Sequence, residues 1–343
     1  MSKSNREIMS EYRKYADSNK VLINAIRKEE KWLATRRQIV MASDTPVLWG
    51  MSTTSPYTLF CKKVNGVDDE DWKERMKEVF YWGHALESLI AERFNAMHRE
   101  RIICDPGPYT IQQHKSYQYM GATIDRMQCN ADGVWGVLEL KSRNTWAGQE
   151  FSERVPDDVL LQLHHQMICT GTTWGSVACL IGGNKFVCED IRRNETVCDM
   201  IINKAREFSV LMSCGTPPPV DNSDSTRRTL QLLHPDDNGE TVHLDATYDE
   251  LDAQYLKACE DEKDAQARKK EAQNRIISAI GNSTFGVGSS YGYSYKTQER
   301  GISLKIDPAN ETELIKARIP YEITGGTKIR VLRRSKFEPV TNE

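Results

Sequence analysis

The sequence has no run approaching the ~18 consecutive apolar residues that a membrane span needs. Its opening, MSKSNREIMSEYRKY, is polar and has no apolar signal core. These two absences give the expectation of a cytoplasmic protein without a membrane partner. No internal repeat is visible. No CxxC pair occurs among the nine cysteines, which stand at 61, 104, 129, 169, 179, 188, 198, 214 and 259. Zinc and iron–sulfur ligands normally come in close pairs, so neither kind of site is expected. The near-regular spacing of Cys169, Cys179, Cys188 and Cys198 reads as small core residues. A large excess of one charge is missing too. The net charge of −3 neither demands nor excludes nucleic acid, because phosphates need a local basic surface rather than a basic total.

What is present is an ordinary folded composition, 39% hydrophobic and 28% charged, over 343 residues. That length suits one large domain with additions, or two modest ones. Basic residues cluster in RKEEKWLATRR (27–37) and KIRVLRRSK (328–336), each by default a solvated face. Residues 4 to about 38 read as helix, and 42–57 as loop with a short helix. A long helix covers 68–100, its acidic start complementing the helix dipole. Strands are expected near 109–114, 117–125 and 133–142. A helix follows at 155–171, with Asp157 or Asp158 as N-cap and Gly171 past its end. WGSVACLIGG and NKFVCEDIRR read as strands and NETVCDMIINKAREFSVLM as a helix. This order gives an α/β fold, a central mixed sheet flanked by helices. The prolines of CGTPPPVDNSDSTRR (214–228) mark a linker or arm. A charged helix at 246–281 with a sparse apolar stripe suits packing along the domain or a helical hairpin. The tail holds two or three strands, a short helix from Asp307-Pro308, and a last strand near 328–334.

The chemistry concentrates in TIDRMQCNADGVWGVLELKSRN (123–144). Side chains alternate along a strand, so Trp135, Val137, Glu139 and Lys141 share one face and Leu138 and Leu140 the other. A hairpin turning near Ala131 sets Asp125 opposite Val137 and makes Glu139 its diagonal neighbour, about 7–8 Å away. Two close carboxylates repel, and burial makes ionising both harder. A divalent cation relieves both problems, and oxygen donors suit Mg²⁺ or Mn²⁺. The bland alternative is an exposed hairpin with a surface Glu–Lys pair. Glu87 adds weight, since it lies on a helix stripe with Gly83, Ile90, Ala91 and Phe94, where an acid needs a partner. A nearby Arg is the other candidate. Gln162, His165 and Gln166 share a helix side at i, i+3 and i+4, as a hydrated site or a solvated face would have it.

Helical Glu87, GATID with Asp125, ELK with Glu139 and Lys141, and helical QLHHQM occur in that order. The set resembles the PD-(D/E)xK nuclease superfamily, with its restriction-endonuclease-like core. More narrowly it is similar to the YqaJ-like viral recombinases, the group that includes phage lambda exonuclease. WLATRRQIVMAS fits the group's opening motif, with Trp32, Arg36 and Ser43, and TLFCKKVNG after TTSPY fits as well. Two positions depart from the pattern. Ile124 stands where a Pro is usual, and His164 where a second Gln commonly follows two residues after the first.

The resemblance implies roles. Asp125, Glu139 and the Leu140 carbonyl would bind metal, Lys141 would be the catalytic lysine, and Glu87 would help hold a second ion. Gln162 would position the nucleophile or the lysine. Arg36, Ser43 and Thr123 would hold a 5′-phosphate. The implied protein is a Mg²⁺-dependent double-stranded DNA exonuclease of a phage or prophage. It digests 5′ to 3′ and leaves 3′ overhangs for recombination, as a trimeric ring working with a single-strand annealing protein. Two alternatives are an endonuclease or opposite-polarity exonuclease of the same superfamily, and a DNA-binding assembly protein without activity. The expected organisation is an N-terminal helical extension (1–30), the nuclease core (31–215), a linker (216–245) and a C-terminal helical and β extension (246–343).

Overall fold

The structure, a computed structural model, describes residues 4–26, 28–300 and 327–336. The chain forms two compact units, Met1–Asn238 and Gly239–Glu343. The first begins with α1 (Asn5–Ser18), β1 (Val21–Ala25), α2 (Glu29–Gln38) and β2 (Val40–Met41). A 3-10 turn (Ala42–Asp44) leads into the short helices α3 (Thr45–Leu48) and α4 (Pro56–Phe60), and then α5 (Glu70–Met97). Next come β3 (Ile102–Cys104), β4 (Thr110–His114), β5 (Met120–Gly121), β6 (Arg126–Cys129) and β7 (Trp135–Arg143). The unit closes with α6 (Asp157–Thr170), β8 (Trp174–Ile181), β9 (Lys185–Arg192), α7 (Glu195–Cys214) and α8 (Asp224–Leu233).

The central sheet runs β3-β6-β7-β8-β9. Only its β7–β8 pairing is parallel, so the sheet is mixed, as expected. Strand β7 is covered on both faces. Trp135 and Val137 join the larger core with Leu163 and Met167 of α6, while Leu138 and Leu140 meet Ile90, Ala91 and Phe94 of α5. The alternation read from VWGVLELK therefore sends one face to α6 and the other to α5. Gly136 is required here. A Cβ at that position would meet the Trp174 indole at 2.6 Å, so a bare backbone lets that ring lie across β7. Gly171 ends α6 in the left-handed conformation, φ 66°, as expected from the sequence.

The second unit holds α9 (Thr247–Ile280), β10 (Phe285–Val287), β11 (Tyr291–Arg300) and β12 (Thr327–Lys336). The three strands form one antiparallel sheet. The helix expected at Asp307-Pro308 lies outside the described residues. Among the described residues no helix is long and apolar enough to cross a membrane.

Several local expectations are corrected. Residues 4–38 are not one helix. α1 stops where Lys20 takes a positive φ of 58°, and Val21–Ala25 pairs antiparallel with β4. That partner is some ninety residues away, beyond any local signal. The expected strand 117–125 shrinks to Met120–Gly121, and the next strand begins only at Arg126. The first turn of α6 contains Asp157 and Asp158, and Pro156 holds the N-cap position. About a third of the expected linker (216–245) is helix α8. Ser223 caps α8 by accepting from the Thr226 N–H, and buried hydroxyl pairs Ser55–Thr226 (2.7 Å) and Thr58–Thr229 (2.8 Å) seat α8 on α4. A Ser/Thr run looks like a linker until its hydroxyls find partners in the interior.

Candidate active site

The site forms where β6 ends and β7 continues. Asn130 accepts N–H bonds from Asp132 and Val134, and Gly133 supplies a φ of 79°, so the hairpin turns about Asp132 rather than Ala131. Arg126 then pairs with Leu138, and Met127, not Asp125, lies opposite Val137. One step beyond the end of β6, Asp125 falls beside Glu139. The register differs from the expected one by two residues, and an even slip keeps every side chain on its face. Asp125 Oδ2 accepts the Leu140 N–H at 2.8 Å. The N–H and C=O of one strand residue leave on the same side, so the Leu140 carbonyl also faces this open end.

Glu139 is 2% exposed and every contact on it is a donor. Its Oε1 accepts from Gln162 Nε2 at 2.7 Å and lies 2.5 Å from Lys141 Nζ. Its Oε2 accepts from Gln166 Nε2 at 2.6 Å. Lys141 Nζ also donates to Gln162 Oε1 at 3.0 Å, closing a ring of three side chains. Gln162 and Gln166 come from successive turns of α6, which therefore grips both oxygens of one carboxylate. Charge-assisted bonds of this kind are short and strong, and they fix the rotamers of all four residues.

The surroundings are acidic. Burial, reinforced by the negative charge of Glu139, holds the half-buried Asp125 carboxyl well above the usual carboxylate range, against the pull of Lys141 and the Leu140 N–H. Glu87, from α5, is near enough to push in the same direction. Its own pKa is raised, mainly by burial, although His84 and Arg126 oppose the shift. Among the described residues no three His, Cys, Asp or Glu side chains gather as a ready cluster. The donors that converge are oxygens: Asp125, Glu139 and the Leu140 carbonyl, with Glu87 alongside. Such a set fits a small hard cation such as Mg²⁺ or Mn²⁺, whose charge would lower the cost of keeping Asp125 ionised.

A second group lies at the end of α2. The Arg36 guanidinium lies over the Trp32 ring, 4.4 Å from its centroid, and its Nη2 donates to Ser43 Oγ at 3.3 Å. Burial lowers the Arg36 pKa, and Asp44 opposes this. Lys63 Nζ ties the piece together, donating to the carbonyls of Arg36 (2.7 Å) and Ile39 (2.8 Å) and pairing with Asp44 at 2.7 Å. Thr123 is connected to the carboxylate group instead, its carbonyl meeting Gln166 Nε2 at 3.4 Å.

The structure thus brings Glu87, Asp125, Glu139, Lys141 and Gln162 to one place, and Arg36 to Ser43. Gln166, grouped with Gln162 and His165 in the sequence but given no role there, binds Glu139 as closely as Gln162 does. The signal lay in the i, i+4 spacing, which puts 162 and 166 on one helix side. An i, i+2 spacing does not, and His164 accordingly faces α7, where its Nε2 accepts the Asn194 N–H at 3.2 Å. His165 is removed from the site as well. It is fully buried, with Nδ1 2.7 Å from Thr45 Oγ1, and burial pushes its pKa down to about 3.

Part of the chain is similar to known proteins. Residues 31–173 match the model of the YqaJ-like viral recombinase domain. A curated relative, the uncharacterized protein YqaJ of Bacillus subtilis (strain 168), is 26% identical over 279 residues, covering 80% of this chain and 85% of that protein. Among solved structures, an alkaline exonuclease (LHK-Exo) from Laribacter hongkongensis aligns with a TM-score of 0.45 and 20% identity, over 60% of this chain and all of that one. The same exonuclease in complex with dAMP aligns at 0.42 and 21%, over 54% and 93%. The segment that resembles the YqaJ-like viral recombinase domain, residues 31–173, carries Arg36, Glu87, Asp125, Glu139, Lys141 and Gln162.

Proposed function

We propose that this chain is a metal-dependent deoxyribonuclease that degrades double-stranded DNA from its ends, 5′ to 3′, leaving 3′ single strands for recombination. The observation that carries this reading is the Glu139–Lys141–Gln162 ring beside Asp125. It is a buried carboxylate held by an ammonium and two amides, with a second carboxyl of raised pKa next to it.

Asp125, Glu139 and the Leu140 carbonyl would hold a Mg²⁺ ion, or Mn²⁺ in its place, and Glu87 would help hold a second ion or its waters. Bound there, the metal supplies a nucleophilic water at neutral pH and charge for the leaving oxygen. Lys141 brings an amine into direct contact with Glu139, placed to orient the attacking water and to offset charge building on the phosphate. Gln162 fixes the lysine through Oε1 and the carboxylate through Nε2, and Gln166 fixes the second carboxylate oxygen. The remaining proposed contact is to the DNA end, where Arg36, Ser43 and Thr123 would bind the 5′-phosphate. A guanidinium stacked on Trp32 and donating to a hydroxyl is preoriented for that anion. A ring-shaped homo-oligomer and a single-strand annealing partner belong to the same proposal.

Linear duplex labelled at either end, with and without a 5′-phosphate, tests it. Mg²⁺-dependent loss of the 5′ label, faster with the phosphate and absent on circular plasmid, is the expected outcome. Cutting of the circle would instead favour an endonuclease, and loss of the 3′ label first would reverse the polarity.

A further inference from the structure

Helix α9 is exposed along most of its length, yet its sequence is ordered. Tyr248, Tyr255, Glu262, Lys269 and Ile276 recur every seven residues, and each is followed three residues later by Leu251 or an alanine: Ala258, Ala265, Ala272 or Ala279. These are the a and d positions of a heptad repeat, kept over nearly the whole 34-residue helix. Tyr248, Leu251 and Tyr255 are 46%, 55% and 67% exposed, so the N-terminal end of the seam lies open to solvent. A sustained 3.5-residue period is what a left-handed supercoil needs, and a lone helix gains nothing from it.

We propose that α9 pairs with α9 of a second copy of this chain as an antiparallel coiled coil. In antiparallel pairing each a residue faces a d residue of the partner. One alignment satisfies every layer at once. Tyr248 faces the partner's Ala279, Tyr255 the partner's Ala272, Glu262 the partner's Ala265, Lys269 the partner's Ala258, and Ile276 the partner's Leu251. In four layers a large side chain meets a methyl, and the fifth pairs two apolar residues. Alternating large and small residues is how facing layers interdigitate closely. The two-fold symmetry repeats each layer, as an isologous contact requires.

Charge selects the same direction. In this alignment the flanking Asp261 meets the partner's Arg268 on each side of the two-fold axis, and Glu262 lies one turn from the partner's Lys269. A parallel pair would set Glu262 against the partner's Glu262 and Lys269 against the partner's Lys269 within the seam, where like charges are costly. At its C-terminal end α9 flanks an open cavity of about 330 Å³, lined by Ile276, Ala279, Phe285, Val287 and Tyr291. The apolar N-terminal end of the partner helix, with the partner's Tyr248 and the partner's Leu251, arrives at this groove.

The test uses the full chain. Its mass by sedimentation equilibrium should fall about twofold in Ala265→Glu/Ala272→Glu, with the helical circular dichroism retained because both positions are exposed. Asp261→Arg should weaken the association, and Asp261→Arg/Arg268→Asp should restore it. In a Cys259→Ser background, oxidation of an equimolar mixture of Glu262→Cys and Ala265→Cys chains should join the two to each other. A mass indifferent to the Ala265→Glu/Ala272→Glu change overturns the proposal and assigns the seam to some other protein. Efficient disulfide formation by Glu262→Cys alone overturns it by showing parallel pairing.

Discussion

Two lysine–carboxylate pairs in this molecule look alike on paper. Lys141 and Glu139 are 2.5 Å apart on β7, with side chains 16% and 2% exposed. Lys257 and Asp261 are 2.9 Å apart on α9, with side chains 68% and 64% exposed. The first pair is desolvated, and the two amides from α6 complete the carboxylate's bonding. The second is an i, i+4 pair bathed in water, where salt and side-chain entropy cancel most of the attraction. A buried pair contributes little net stability over a well-packed apolar pair, but breaking it is expensive. The value proposed for it here lies in chemistry, because a carboxylate and a lysine amine are fixed side by side at the open end of β6.

Single replacement at the first pair should produce the largest effects. Lys141→Ala is expected to abolish cleavage while duplex binding in a gel-shift assay persists, and full retained activity would exclude the mechanism. Glu139→Ala leaves Lys141 without its main partner and should cost about 3 kcal/mol in a denaturant titration, at the lower end for a buried pair because Lys141 keeps some solvent. The double change Glu139→Gln/Lys141→Met sharpens the contrast. It should recover most of that stability and none of the activity, which separates the pair's structural cost from its chemical role.

The buried His165 comes next. Its folded pKa of about 3 lies below the unfolded value of about 6.5. The native state therefore holds it neutral, and its contribution to stability is complete above pH 6.5. Below that the unfolded chain binds a proton that the folded chain refuses. Stability should fall by up to about 1.4 kcal/mol per pH unit between about 6.5 and 3. His165→Leu, less stable at pH 8 because Thr45 loses its partner, should show a shallower acid slope in the same titration. Thr58→Val, which removes the Thr58–Thr229 hydroxyl bond between α4 and α8 while Thr229 keeps its bond to the Ser225 carbonyl, should cost about 1 kcal/mol in thermal melts. The smallest effect is expected at the exposed pair, where Lys257→Ala should change stability by about 0.5 kcal/mol or less. A larger loss there that depends on protein concentration would indicate that α9 is held by another chain.

Legibility differed in the same way along the molecule. The limits of α9, the Gly171 cap and the two faces of β7 were readable because each follows from local geometry: helix periodicity, a left-handed glycine or strand alternation. Asp125 and Glu139 were correctly placed on one face even though the turn was misplaced, since the error was an even number of residues. The short strand β1 and the helix α8 were not readable. β1 exists because β4 is there to pair with it, and the Ser/Thr run of α8 becomes structural only when Ser55 and Thr58 receive its hydroxyls.

The sequence by itself determined which residue types could make a metal and phosphate site, and their order along the chain, because covalent spacing fixes strand faces and helix sides. Tertiary structure decided which of them meet. It set Asp125 beside Glu139 through a turn centred on Asp132 and brought α6 across β7 so that Gln166 joins Gln162 on one carboxylate. It also turned His164 and His165 away. Those outcomes depend on packing between segments distant in sequence, where the burial of Leu163, Met167 and Val137 in a shared core fixes the angle of the helix and hence which polar side chains reach the acid.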